Sequence, residues 1–235
     1  MMSLRMADAA QNSTELWAAV ESYISDAMIA ADPVLEAVLQ ASAAAGLPPI
    51  NVGANQGKFL QLLARIRGAR TILEIGTLGG YSTIWLARAL PADGQLITLE
   101  FAPMHAEVAR ANFQRAGLAD VIEVRLGRAQ DSLRQLEKEK AGPFDLIFID
   151  ADKASIPNYF TAALNLSTAG TVIVVDNVVR KGAVLEAKSS DPDIQGVRRF
   201  NEIVRRESRV SGTTLQTVGS KGHDGFAVLL VVATK

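Results

Sequence analysis

A small set of side chains near the middle of the chain has the types and spacing to do chemistry. The run Phe148-Ile149-Asp150-Ala151-Asp152-Lys153 is followed, some twenty positions on, by Val174-Val175-Asp176-Asn177. Each is an apolar stretch that ends abruptly in acidic or amide side chains. Phe144–Ile149 and Thr171–Val175 read as buried strands. In an open parallel sheet, ligands sit at the carboxyl ends of the strands. Two adjacent strands would therefore bring Asp150, Asp176 and Asn177 to one spot, with Lys153 beside them. Three hard oxygen ligands with open positions suit Mg²⁺, Mn²⁺ or Ca²⁺. A lysine beside a divalent cation is a candidate general base, because the like charge favours the neutral amine. The ordinary alternatives are helix caps at Asp150 and Asp152, a turn at Asp176-Asn177, and a surface ion pair between Lys153 and Asp150. All would have to hold together to account for the whole set.

A second constellation lies upstream. Glu74-Ile75-Gly76-Thr77-Leu78-Gly79-Gly80-Tyr81-Ser82 ends one strand and opens a helix. Glycines at such a turn let a ligand approach the backbone, and the helix start presents free N–H groups. About 20 residues later the next strand ends at Glu100, placed to bind ribose hydroxyls. A nucleoside-containing cofactor is the natural inference. The pattern is G-x-x-G-G, not the G-x-G-x-x-G of dinucleotide binders. Tyr23, Tyr81 and Tyr159 are followed four positions on by Ala27, Trp85 and Ala163, so no Tyr–Lys dehydrogenase pair exists, and no P-loop is present. A nicotinamide-dependent oxidoreductase of Rossmann type is the second class to weigh.

These residues need a scaffold. The strands read as Thr71–Ile75, Gln95–Glu100, Val121–Leu126, Phe144–Ile149 and Thr171–Val175, with helices starting near Gly80, Pro103, Arg128 and Ile156. Such βα alternation predicts a mainly parallel sheet with right-handed crossovers. A helix over 193–207 leads to strands at 213–218 and 226–234, joined by a glycine-bearing loop at 221–225. The sheet should therefore finish with an antiparallel hairpin. Ahead of the sheet, Leu16, Val20, Tyr23, Ile24, Ala27 and Met28 share a helical face. Asp32 and Pro33 start a second helix, and a third runs from about 55 to 67. The expected organisation is one α/β domain, with a helical cap over about 14–67 and a Rossmann-like core over 70–235. Met1–Leu4 read as an appended leader and are set aside.

Composition narrows the classes. The chain has 235 residues, is 49% hydrophobic and carries a formal charge of −1. That supports a sizeable core and offers no basic surface for nucleic acid. Cysteine is absent, which excludes disulfides and thiolate metal sites, and two histidines make an imidazole-rich zinc site a poor fit. No apolar run reaches membrane-spanning length and no signal peptide is apparent, so the cytoplasm is the expected compartment.

The two constellations together resemble the cation-dependent O-methyltransferases that include catechol and caffeoyl-coenzyme-A O-methyltransferases, class I S-adenosylmethionine (SAM) enzymes. The resemblance runs from about Ile50 to the carboxyl end. Its markers are Glu74-Ile75-Gly76 with Gly79-Gly80-Tyr81-Ser82, Gly127-Arg128-Ala129, Asp150-Ala151-Asp152-Lys153, Asp176-Asn177, Phe200-Asn201 and Asp224-Gly225. It implies a seven-stranded methyltransferase sheet of order 3-2-1-4-5-7-6. It implies that Glu74, Gly76, Thr77 and Ser82 hold the amino-acid end of SAM, that Glu100 binds the ribose, and that Ala129 and Phe101 lie at the adenine. Asp150 and Asp152 would be further cofactor contacts, and Val52 would contribute through its backbone. Asp150, Asp176 and Asn177 would bind Mg²⁺ (or Mn²⁺ or Ca²⁺), with Lys153 as base. Asn51 and Val52 stand where plant relatives have two threonines. The loop Val178-Val179-Arg180-Lys181-Gly182 lacks the plant tryptophan-and-asparagine pattern, so caffeoyl-coenzyme A is a doubtful substrate.

The implied activity is methyl transfer to one hydroxyl of a vicinal dihydroxy aromatic, a small-molecule partner without nucleic acid or membrane. A homodimer is expected. A methyltransferase-like module acting on RNA is a third class, but the Asn/Asp-Pro-Pro-aromatic motif of base amino-methyltransferases is absent. Trp17 and Trp85 read as packing residues, His105 as a helix surface residue, and Arg198-Arg199 with Arg205-Arg206 as a solvated helix face. His223 reads as a loop residue.

Overall fold

The computed structural model describes residues 2–234, with side chains described from Ser13 onward, so the expectation for Met1–Leu4 lies outside the described side chains. Seven strands form a single sheet in the order β3-β2-β1-β4-β5-β7-β6. They are β1 (Thr71–Ile75), β2 (Gln95–Glu100), β3 (Ile122–Leu126), β4 (Phe144–Ile149), β5 (Ser167–Asp176), β6 (Val210–Gly219) and β7 (Gly222–Val231). The first five are parallel, and β7 pairs antiparallel with both β5 and β6. The helices are α1 (Met2–Met28), α2 (Pro33–Ala44), α3 (Ala54–Arg67), α4 (Tyr81–Ala87), α5 (Pro103–Arg115), α6 (Ala129–Glu139), α7 (Ile156–Asn165) and α8 (Pro192–Arg206).

Both sheet faces are buried, which is why the central strands read as continuous apolar runs. Leu73, Ile75, Ile147, Ile149, Ile173 and Val175 pack against Leu133 and Leu136 of α6, Phe160 of α7 and Val197 and Phe200 of α8. On the other face, Ile72, Leu146, Phe148 and Val174 meet Val38 of α2, Leu60 and Ala64 of α3, Trp85 of α4 and Phe113 of α5. Each fully buried side chain of this size contributes about 1.5–3 kcal/mol. Asp32 caps α2 as expected, its Oδ1 accepting from the N–H groups of Val34 and Leu35, with Pro33 at the first helical position.

The end of the chain departs from the expectation in one place. The loop expected at 221–225 is strand from Gly222 onward: Gly219 pairs with Gly222 around a two-residue turn, Ser220-Lys221. Pairing with β5 ends at Asp176–Phe226. The outer hairpin, Gln216–Gly225, therefore projects past β5, and its β6 strand is largely exposed. It has no need of alternating apolar residues, so it reads like a loop. β5 also starts earlier than expected, at Ser167, because an irregularity around Gly170 (φ +94°) breaks its hydrophobic pattern. Among the described residues, no helix is long and apolar enough to cross a membrane.

Candidate active site

Strand register gathers the site. Ile75 pairs with both Leu99 and Ile149, and Ile149 pairs with Val175. The residues that follow are Gly76, Glu100, Asp150 and Asp176, so all four emerge at one level of the sheet. A cavity of about 820 Å³ opens above them. Gly76 is what allows the β1 and β4 loops to meet. Its φ is +102°, and a Cβ there would stand 2.1 Å from the carbonyl oxygen of Asp150.

Of the residues singled out for the cofactor, Val52, Gly76, Thr77, Ser82, Glu100, Phe101, Ala129, Asp150 and Asp152 line this cavity. Glu74 does not. It is fully buried behind the wall and accepts hydrogen bonds from the hydroxyls of Ser82 (2.6 Å), Thr98 (2.7 Å) and Thr83. Burial raises its carboxyl to about 7, against the pull of the three hydroxyls. Direct contact with a cofactor is thus corrected to an indirect one: Glu74 faces the α3–α4 layer and fixes the Ser82 hydroxyl, which does face the cavity.

Glu100 closes the turn after β1. Its Oε2 accepts from the N–H groups of Thr77 (3.2 Å) and Leu78 (2.8 Å), and its Oε1 from Ala102 (2.9 Å). The N–H groups that could cradle a pyrophosphate are therefore taken by the protein's own carboxylate. A second anion there would meet like charge, so the geometry gives no support to the nicotinamide-dependent reading. His105 corrects another expectation. It lines the cavity, with Nδ1 3.5 Å from Glu100 Oε1, instead of standing on an open helix surface.

Lys153 opens a 3₁₀ turn directly after β4, over Lys153–Ser155. Its Nζ lies 2.7 Å from Asp150 Oδ1, and its side chain is only 9% exposed, so this is no surface ion pair. The backbone of α8 presses on it: a Cβ at Gly196 would come within 2.2 Å of the Lys153 carbonyl oxygen. Asp152 does cap this turn, accepting from Ser155 N–H at 3.0 Å, and it also accepts from the Tyr159 hydroxyl. Burial and the charge of Asp150 push the Asp176 carboxyl well above the usual carboxylate range, while Lys153, Gln56 and the Asn177 N–H pull it down. Asn177 adopts φ +57°, a left-handed conformation that asparagine tolerates better than most residues.

Among the described residues, no group of three His, Cys, Asp or Glu side chains forms a metal cluster; the set here has an amide as its third member. The donors nonetheless fit a divalent cation. Asp176 is buried and Asp150 half-buried, Lys153 Nζ stands against Asp150, and all three side chains offer hard oxygen donors. Asp150, Lys153 and Asn177 face the cavity, and Asp176 stands behind them.

Several cavity residues gave no signal in the sequence. Ile50, Leu78, Gln130, Ser155 and Tyr159 line the wall only because loops converge there. Trp85 is core, as expected, and Trp17 is half-buried. His223 lies on β7, paired with Gln216 (2.9 Å), and does not line the cavity. Arg198, Arg199 and Arg206 line a separate shallow groove on α8.

A seven-stranded sheet of this order, with a nucleoside-sized cavity at its carboxyl edge and an acid closing the first turn, defines a SAM-dependent methyltransferase. The family model for O-methyltransferases matches residues 25–226, and the chain belongs to that family. It is 52% identical over 219 residues to the catechol O-methyltransferase of Niastella koreensis, covering 93% of this chain and 99% of that one. The crystal structure of the O-methyltransferase from Bacillus cereus in complex with SAH superposes with a TM-score of 0.92 at 59% identity, over 93% of this chain and 99% of that one. TomG from Streptomyces achromogenes, involved in tomaymycin synthesis and solved in complex with SAM, gives 0.91 at 50% identity, over 94% and 99%. The protein is an O-methyltransferase that uses SAM.

Proposed function

We propose that the acceptor is a vicinal dihydroxy aromatic and that the reaction needs a divalent cation held by Asp150, Asp176 and Asn177. The observation that carries this reading is the buried Lys153 ammonium, 2.7 Å from Asp150, in the same cavity wall as Asn177. When bound, the cation supplies positive charge that acidifies the substrate hydroxyl and fixes the position of both oxygens. Lys153 would accept the hydroxyl proton at Nζ as the neutral amine, its own ammonium proton having first passed to solvent. The freed oxygen forms its bond to the methyl carbon as the sulfur–methyl bond breaks, and the electron pair stays on sulfur. The products are the methyl ether and SAH. Cavity walls of Leu78, Leu99 and Tyr81 exclude water, and charge is neutralised in the step, so a dry site favours it. The similarity to a protein named catechol O-methyltransferase supports the substrate class. Incubation with SAM, Mg²⁺ and catechol, followed by mass spectrometry, tests the reading: a single added methyl is expected, and no methylated product from any vicinal diol would refute it.

Glu100 sets cofactor affinity in this reading. Its carboxylate accepts from the ribose hydroxyls and also holds the Thr77–Leu78 turn in place. Charge-assisted hydrogen bonds are worth on the order of 1.5–3 kcal/mol each. Glu100→Ala weakens SAM binding by about tenfold or more in calorimetry, with the far-ultraviolet circular dichroism unchanged. An unaltered dissociation constant removes Glu100 from the site.

The protein works as a homodimer. Leu16, Val20, Tyr23, Ile24 and Met28 of α1 and Leu62 and Ile66 of α3 are exposed, with Ile66 at 82%. Exposed apolar side chains of this number on the amino-terminal helices suit burial against a second copy. Light scattering should give twice the chain mass of 25.1 kDa; a monomer at micromolar concentration contradicts the assignment.

A further inference from the structure

The proposed reaction leaves Arg180 in the cavity wall and Lys221 beside the wall residue Asn51 without a role, while Arg128, which also lines the cavity, adjoins Ala129 at the cofactor end. Arg180 lines the wall three residues beyond Asn177. Its backbone is left-handed, with φ +55°, and so is that of Lys181, with φ +56°. Non-glycine residues hold this conformation only where the surroundings over-determine it. Here Asp224 does so. Its Oδ1 accepts from the N–H groups of Val179 (3.1 Å), Arg180 (2.9 Å) and Gly225 (2.9 Å), which ties the loop to β7. The guanidinium has one acidic partner, Asp193 Oδ2 at 3.2 Å, with the two side chains 31% and 37% exposed. An ion pair that open contributes little, so a ligand carboxylate can take the partner's place.

The second cation comes from the other side. Lys221 sits in the hairpin turn that projects past β5, and its ammonium donates to the carbonyl oxygen of Asn51, a cavity residue. The turn is held down by α1: Glu21 Oε2 accepts from Ser220 N–H at 2.6 Å, and the Glu21 carbonyl accepts from Asn55 at 3.3 Å. Burial favours the neutral form of Lys221, while the charges of Asp150, Asp176 and Glu21 favour the ammonium. Neither cation belongs to the cofactor end, which is walled by Glu100, Phe101, Ala129 and Gln130.

The geometry points to a substrate that carries an anionic substituent, a carboxylate on or near the ring, recognised by Arg180 and Lys221 at the open side of the cavity. This rests on the proposed catechol reaction and specifies its substrate. Arginine offers a planar fork of donors that matches a carboxylate, and lysine adds a mobile charge. Neutral catechols fit the same catalytic groups but forgo both contacts. Catecholamines bring a third positive charge to that side.

Specificity ratios test this, because the amount of active enzyme cancels in a ratio. The probes are 3,4-dihydroxybenzoate, catechol and dopamine, with kcat/KM measured for each under saturating SAM and Mg²⁺. The wild-type protein should prefer 3,4-dihydroxybenzoate to dopamine. In Arg180→Ala the ratio of 3,4-dihydroxybenzoate to catechol should fall about tenfold or more, with a smaller fall in Lys221→Ala. Arg180→Glu should shift the preference toward dopamine. Ratios that stay constant across these variants overturn the inference while leaving the catechol reaction standing. So does a wild-type protein that methylates catechol and dopamine but not the benzoate. A weakened SAM dissociation constant in Arg180→Ala at an unchanged ratio would make Arg180 a cofactor residue instead. If no vicinal diol is methylated, the proposed reaction fails and this substrate assignment fails with it.

Discussion

Asp176→Ala abolishes catechol methylation at any Mg²⁺ concentration, and EDTA does the same to the unaltered protein until Mg²⁺ or Mn²⁺ is restored. Asp176 is 5% exposed at the end of β5, where the Asn177 N–H, Gln56 and Lys153 favour its charge and burial and Asp150 oppose it. With Asp150 and Asn177 it would hold the proposed cation through oxygen donors. Loss of one carboxylate removes a ligand and part of the charge that retains the ion. A contribution of several kcal/mol corresponds to a rate loss of about 10³-fold or more. SAM binding should survive in this variant, because Glu100, Thr77 and Ser82 stand on other strands and loops. Turnover is followed by product mass spectrometry and cofactor binding by calorimetry. Full activity in metal-free buffer, or an active Asp176→Ala protein, would leave a methyltransferase without a cation requirement.

Lys153→Met lowers kcat by about 10²-fold or more, in line with the contribution of a positioned general base. Methionine keeps most of the length and apolar stem of the buried Lys153 side chain, so the fold should hold. The SAM dissociation constant should stay near the wild-type value, since the loss is confined to an interaction made in the reacting complex. Single-turnover kinetics separate this from slow product release. Wild-type turnover in Lys153→Met would mean that the cation alone activates the hydroxyl and that Lys153 serves only to neutralise Asp150.

Fold and site were legible to different degrees, for physical reasons. The βα alternation, strand ends and helix starts follow from local signals: apolar runs buried on both faces, Asp32-Pro33 at a helix start, Gly76 where only glycine fits. Because the site lies at strand ends, Asp150, Lys153, Asp176 and Asn177 were marked by the abrupt change from apolar to polar. The strand order came with the family resemblance, since local patterns do not order strands, and the sheet has that order.

Other features depend on which segments meet, and a linear pattern does not carry that. Glu74 looks like a cofactor residue in sequence, yet its side of β1 faces α4, where Ser82 and Thr83 enclose it. Glu100 was visible as an acid at a strand end, but not its capture of the Thr77 and Leu78 N–H groups, which excludes a second anion from that turn. His105 looked like a surface residue because nothing in α5 records that Glu100 lies 3.5 Å away. Asp224 clamps a loop 44 positions upstream, and the hairpin tip brings Lys221 to Asn51 across 170 positions. Sequence determined which groups exist and at which strand ends they stand. Tertiary structure alone decided which carboxylates face the cavity and which hold the protein's own N–H groups, because contact between distant segments is set by packing and not by local pattern.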